Sequence, residues 1–185
     1  MKGGDLVTDN GASSYHRYLW GDTDALEELV RLFGDALVRF AYCFLGDPYA
    51  AEDVMEDCFA ALIVKRKPVD DAKLKAYLFK IARNKCIDVL RARGRIAPLN
   101  EETCEAMFSD AEEDAMRLEQ NKRLYAAMQK LPTQYREVLD LVYFENFSPQ
   151  ETAAILRKTR KQIYNLLARA KTALKEILQK EGFDL

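Results

Sequence analysis

Charged, amide and aromatic side chains at helical spacing are the residues of this chain that could do chemistry, and three segments collect them. Between Arg157 and Lys175, seven basic residues occur without a single acidic one. Between Lys65 and Arg95, eleven basic residues outnumber three acidic ones. The segment AEDVMEDCF (51–59) has the opposite sign, with four acidic residues. Basic segments of this kind favour contact with a polyanion, and the acidic one favours a basic partner or solvent.

The C-terminal basic segment has the pattern of a helix-turn-helix. Ser148 and Pro149 predict the start of a short helix over 149–156, a tight turn follows, and a second helix begins near Arg160. Such a second helix enters the major groove, where Asn and Gln can read adenine and Arg or Lys can read guanine or grip phosphate. The alternative is an ordinary helical hairpin with a solvated basic face, but seven unopposed bases favour DNA. The polar face includes Lys161, Gln162, Asn165 and Arg169.

The earlier basic segment predicts a helix over 72–93 that is apolar on two sides. Between its two apolar stripes runs a polar strip that combines cations with an aromatic ring. Such a strip suits a single nucleic-acid strand, because Lys and Arg meet phosphates while a base stacks on the ring. The alternative is a helix buried on two sides whose strip only faces water. The members of the strip are Lys73, Tyr77, Lys80, Asn84 and Arg91.

The acidic segment predicts carboxylates on adjoining faces of one helix, with Glu52 and Glu56 on one face and Asp53 and Asp57 on the next. Carboxylates at this spacing can bind a metal. With no histidine among them, they more often form a solvated face or a docking patch for a basic partner, so no metal site is predicted.

Glycine and proline positions divide the chain into helices, and no long stretch alternates with period two. The fold class predicted is therefore all-α, as two small helical domains joined by an acidic linker. The predicted units are a flexible tail (1–14), a first domain (15–97), the linker (98–119) and a second domain (120–181). Neither a membrane-spanning run nor a signal peptide is evident, which predicts a cytoplasmic protein. Its four scattered cysteines are expected to be reduced and buried.

These segments, in this order, resemble the extracytoplasmic-function (ECF) group of bacterial RNA polymerase sigma factors. The likeness covers about residues 15–178. It rests on GDPYAAEDVMEDCFAAL and KAYLFKIARNKCIDVLRARGR in the first domain, and on LPTQYREVLDLVYFENFSPQETAAIL with the following basic helix in the second.

The resemblance implies a sigma2-like bundle and a sigma4-like helix-turn-helix domain, with core RNA polymerase, promoter DNA and an anti-sigma factor as partners. It implies no cofactor, no catalysis and no insertion into a membrane. Polymerase docking would fall to Asp53, Val54, Glu56 and Asp57. Melting and capture of the −10 element would fall to Lys73, Tyr77, Lys80, Asn84 and Arg91. Recognition of the −35 element would fall to Lys161, Gln162, Tyr164, Asn165 and Arg169.

The sequence departs from the family at the turn, where Gly and an apolar residue are usual and Arg157-Lys158 stands here, and at Leu166 in the recognition helix. A free-standing helix-turn-helix regulator, whose first lobe dimerises or senses a ligand, is the alternative function. Such a regulator leaves the acidic patch unexplained, which favours the sigma factor. An enzyme is disfavoured, because the sequence has no phosphate-binding glycine loop, no histidine cluster and no nucleophile–base pair.

Overall fold

The computed structural model describes residues 11–70, 73–94 and 123–182, and none of these residues forms a β-strand. The first lobe consists of α1 (Ala12–Leu19), α2 (Asp24–Leu45), α3 (Pro48–Lys65) and α4 (Leu74–Arg93). The second lobe consists of helical residues 123–129 (α5), α6 (Thr133–Leu139) with a π-helical turn (Asp140–Phe144), α7 (Pro149–Leu156) and α8 (Arg160–Lys180). The predicted linker, 98–119, lies outside the described residues, as do 1–10 of the predicted tail. An all-α fold is therefore confirmed.

Local signals in the sequence set most helix ends. The Asp22 carboxylate accepts a hydrogen bond from the Asp24 backbone N–H at 3.1 Å, so Asp22 rather than Thr23 serves the start of α2. Asp47 caps α3 through the Ala50 N–H, with Pro48 in the first turn. Gly46 ends α2 in the left-handed conformation that glycine adopts without strain.

The start of the first lobe differs from the prediction. Residues 12–14 were assigned to a flexible tail, but they open α1, and Ser14 is buried and donates a hydrogen bond to the Glu28 carboxylate at 2.7 Å. Arg17 also pairs with Glu28, at 2.9 Å, and with Asp22, at 2.6 Å. These tertiary contacts fix a segment whose own composition favours a loop.

The two lobes pack directly on each other. Helix α4 contacts α2 and α3 on one side and α7 on the other, and α2 contacts α6. One hydrophobic cluster includes Leu37 and Phe79 of the first lobe together with Phe147 and Ile163 of the second. The apolar stripes predicted for α4 are thus explained by its packing against both lobes, and the Phe79 ring contacts both Phe40 of the first lobe and Phe147 of the second. Within the described ranges, no helix is both long enough and apolar enough to cross a membrane.

Candidate nucleic-acid interface

The predicted recognition helix, α8, presents a polar face to solvent. Its apolar residues Ile163, Leu167 and Ala170 are buried against the second lobe. The opposite face exposes Lys161, Tyr164, Asn165 and Arg169, and the Tyr164 side chain is 52% exposed. A helix with this division has its polar side chains free of the core, as major-groove readout requires.

Gln162 is exposed, but its side chain is already engaged in a capping box at the start of α8. Its carbonyl oxygen accepts hydrogen bonds from the Thr159 N–H at 2.8 Å and from the Thr159 hydroxyl at 3.1 Å. A bidentate pair with adenine needs both the oxygen and the nitrogen of this amide. Asn165, one turn further along, has no such engagement among the hydrogen bonds of the described residues and is the better-placed amide.

The atypical turn residues have a structural consequence. Arg157 adopts the left-handed conformation (φ 53°, ψ 46°) that glycine usually supplies at a helix C-terminus. The following Lys158 N–H returns to the Ala153 carbonyl at 2.9 Å, so the tight turn is kept despite the strain. Leu166 is half-buried and packs against the hydrophobic cluster, so it does not belong to the base-reading face.

The predicted single-strand strip forms one row along α4. Lys73, Lys80 and Arg91 are exposed, and Tyr77 and Asn84 are half-buried beside them. Two of the cations have acidic neighbours in their own turn: the Lys73 ammonium lies 2.7 Å from the Asp70 carboxylate, and the Arg91 guanidinium lies 3.5 Å from that of Asp88. The hydrogen bond and charge of Asp70 raise the pKa of Lys73. These pairs are exposed, so a phosphate can displace them at little cost.

The acidic patch on α3 consists of Glu52, Asp53, Glu56 and Asp57, all exposed. Asp57 is tied to α4 by the Lys85 ammonium at 2.9 Å, and its carboxylate raises the pKa of that lysine. The predicted docking contacts also include Val54. Val54 is only 1% exposed, because its position on α3 faces the core of the first lobe. Its side chain helps to anchor the part of α3 that carries the acidic patch.

The boundary between the lobes is charged as well as apolar. The Phe147 ring meets the Phe79 ring edge-on at 5.2 Å between centroids. The Lys75 ammonium lies 5.0 Å from the centre of the Phe147 ring and 3.0 Å from the buried Glu145 carboxylate. Arg39 of α2 approaches the same carboxylate at 3.7 Å. Both lobes therefore contribute to each of these contacts.

Two further acidic residues lie buried at this boundary. Burial raises the pKa of Asp140 to about 8, and the Cys43 thiol of α2 donates to its carboxylate at 3.8 Å. Burial likewise raises the pKa of Glu137, which lies 3.5 Å from the Arg83 guanidinium of α4. The sequence reasoning missed these acids. The available signal was three acidic residues within the apolar run EVLDLVYFE (137–145).

The structure shows no metal centre in the ranges it describes, since no group of three or more His, Cys, Asp or Glu residues there is arranged to hold an ion. Cys43, Cys58 and Cys86 are buried in the helices, as expected, and burial raises the pKa of Cys58 to about 12.

Comparison with known proteins gives consistent matches for both lobes. Residues 29–96 match the Sigma-70 region 2 family and residues 121–174 match the Sigma-70 region 4 family. The chain is 30% identical to the RNA polymerase sigma-E factor of Streptomyces coelicolor, over 89% of this chain and 92% of that one. It is 26% identical to the ECF RNA polymerase sigma factor SigM of Bacillus subtilis, over 82% and 94% of the two chains. Among solved structures, CnrH in complex with the cytosolic domain of CnrY is similar, with a TM-score of 0.68, 26% identity, and coverage of 94% of this chain and 100% of CnrH.

Proposed function

Because the chain belongs to the ECF group of RNA polymerase sigma factors, we propose that it binds core polymerase and directs promoter recognition, −10 melting and transcription initiation. The observation that carries the proposal is the pair of exposed basic surfaces on different lobes, the strip on α4 and the face of α8. One surface suits a separated strand and the other suits a duplex. The protein would act in the cytoplasm, as a subunit without catalysis of its own.

Docking on polymerase is assigned to the exposed carboxylates of α3. Asp53 and Glu56 are exposed on the first lobe, and no ion pair or hydrogen bond of the described residues occupies their carboxylates. Asp57 is partly neutralised by Lys85 and is the weaker contact. Complementary charge steers association and excludes wrong partners, so a basic surface on the polymerase fits this patch.

The −10 element is assigned to the α4 strip. Lys80 and Arg91 would hold the phosphates of the melted strand, and Tyr77, half-buried and packed against the hydrophobic cluster, would offer a ring edge or face to a base. Lys73 would exchange its contact with Asp70 for a phosphate. Asn84 lies between the cations, where its amide can reach a base edge.

The −35 element is assigned to α8. Asn165 and Arg169 lie one turn apart on the exposed face, with Lys161 one turn before them. The Gln162 oxygen is held by Thr159, so the structure favours Asn165 as the adenine-reading amide. Tyr164, half exposed beside this row, would pack against the sugar–phosphate backbone or a thymine methyl group.

Simultaneous recognition of both elements requires the lobes to separate. The elements lie about 25 base pairs apart, which is about 85 Å of duplex at 3.4 Å per base pair. Phe147 and Phe79, from opposite lobes, are instead in direct contact. The 28 residues of segment 95–122, fully extended, would reach at most about 100 Å, so the chain length permits the separation. The packed state would then be the free or inhibited form. An anti-sigma factor is proposed as its partner because of the family, and the similar protein CnrH was also solved with a protein partner, the cytosolic domain of CnrY.

A charge reversal at Asp53 tests the docking assignment. Asp53→Arg should weaken binding to core polymerase by roughly 30-fold or more, since a like charge at a desolvated contact costs at least about 2 kcal/mol. Asp35→Arg, the same change at an exposed position on α2, is the matched control and should bind normally. Equal affinity of the two variants in a pull-down would refute the docking assignment. Tight operator binding without polymerase would favour the free-standing regulator instead.

A further inference from the structure

Helix α1 touches the segment that joins α3 to α4, although 52 residues of sequence separate the two contact points. The Tyr15 side chain is 1% exposed, and its hydroxyl donates a hydrogen bond to the Lys67 carbonyl at 2.6 Å. The Arg66 guanidinium lies 5.3 Å from the centre of the Tyr18 ring and donates to the Tyr18 carbonyl at 3.5 Å. Two tyrosines of α1 therefore attach to consecutive residues of that segment.

Residues 66–70, the α3–α4 loop, have no regular secondary structure. Arg66 adopts the left-handed conformation (φ 39°), which residues other than glycine rarely choose without external support. Further along, Val69 packs against the hydrophobic cluster. An irregular segment without attachments would sample many conformations, so these contacts select one of them.

The loop and the residue before it present three consecutive basic side chains, Lys65, Arg66 and Lys67, all exposed. In the sequence they shortly precede Lys73, the first residue of the α4 strip. The Asp70 carboxylate of the loop pairs with the Lys73 ammonium. We infer that Tyr15 and Tyr18 are positioning residues, which hold the α3–α4 loop in the conformation that continues the −10 strand path from α4. This role rests on the proposed function of the α4 strip.

Helix α1, which holds the loop, is itself held in place by polar contacts. Ser14 donates to the Glu28 carboxylate at 2.7 Å, and Arg17 bridges the Asp22 and Glu28 carboxylates. Helix α1 is thereby fixed on α2, which belongs to the core of the first lobe. The α3–α4 loop is therefore attached to a helix that is itself fixed to the core.

Tyr15→Phe removes the one hydroxyl and keeps the ring, so the core stays filled. The loss of a hydrogen bond of ordinary strength should raise the rate of tryptic cleavage after Lys65 and Arg66 by about 3- to 10-fold. The bond after Lys67 precedes Pro68, so trypsin does not cleave it and the cuts in the loop are confined to Lys65 and Arg66. Tyr18→Phe is the matched control, because Tyr18 contacts the loop through its ring and its backbone oxygen. It should cleave at the wild-type rate.

The functional readout is permanganate reactivity of −10 thymines with the full chain bound to core polymerase. Tyr15→Phe should lower the open fraction while leaving core affinity at the wild-type value and lowering the melting temperature by no more than about 5 °C. An unchanged cleavage rate, or an unchanged open fraction, would overturn the inference. The double variant Lys65→Ala, Lys67→Ala separates this from the proposed function. If it impairs opening and Tyr15→Phe does not, the positioning role is wrong; if neither does, the loop does not contact the −10 strand.

Discussion

Asp140 is a fully buried acidic residue at the lobe boundary, and its substitution by Asn gives a quantitative test of the packed state. Burial raises the pKa of this carboxyl to about 8, from an unfolded value of 3.8. Between these two pH values the folded protein holds a proton that the unfolded chain releases. The unfolding free energy therefore falls as pH rises, by at most about 1.4 kcal/mol per pH unit, or about 4 kcal/mol from pH 5 to pH 8.

Groups near Asp140 change how far its pKa is raised, but the net shift stays upward. Glu145 raises the pKa of Asp140 further, whereas Arg39, the Cys43 hydrogen bond and Lys75 oppose the shift. Tyr125 of α5 also interacts with Asp140. Glu137, whose pKa is raised by burial, contributes with the same sign. Carboxyls with lowered pKa values, such as Asp22 and Glu28, lose their contribution only in more acidic solution than this window.

Asp140→Asn keeps the shape of the side chain and removes its ionisable group. The variant should show a clearly shallower loss of stability from pH 5 to pH 8, and should exceed the wild type at pH 8 by about 2–4 kcal/mol. Urea unfolding followed by circular dichroism at pH 5, 6, 7 and 8 measures both quantities. Asp35→Asn, at an exposed position, should leave the slope unchanged. A variant less stable than the wild type at pH 8, with the slope intact, would show that Asp140 is ionised in the folded protein and refute the reasoning.

Three further predictions concern the nucleic-acid surfaces. Lys80→Ala with Arg91→Ala should reduce open-complex formation more than polymerase binding in permanganate footprints, because both side chains are exposed on the strip; equal losses would argue against it. Asn165→Ala should relax −35 preference by about 1–3 kcal/mol at one base pair, and an unchanged profile in a binding selection would mean that another face reads DNA. Arg157→Gly should stabilise the second lobe by about 1 kcal/mol, since glycine tolerates φ 53°; a lower melting temperature would contradict this.

Local features were predictable from the sequence. The capping-box signature of Ser148 and Glu151, with Pro149, predicts where α7 begins, and the structure contains both reciprocal hydrogen bonds. The sequence contains the same capping-box signature at Thr159 and Gln162, but Gln162 was predicted only as a base contact. The bounds of α2, Asp24–Leu45, follow from an acidic cap before and Gly46 after.

Long-range features were not predictable from local patterns. Residues 12–14 are helical only because Ser14 and its neighbours contact α2. Two apolar stripes on α4 indicated two packing partners, but nothing in the pattern named α7 as the second. The buried acids Glu137 and Asp140 contradict the ordinary preference of carboxylates for solvent. Their placement depends on α2 and α4, which lie far away in sequence.

As a sigma factor, this chain should give core RNA polymerase its promoter specificity. Run-off transcription from a library of genomic fragments, with purified core enzyme in the presence and absence of the protein, tests it most directly. With the protein present, defined transcripts should appear whose templates share a −35 and a −10 sequence, and Asp53→Arg should strongly reduce them. Transcripts no different from those of core enzyme alone, together with tight duplex binding by the free protein, would contradict it.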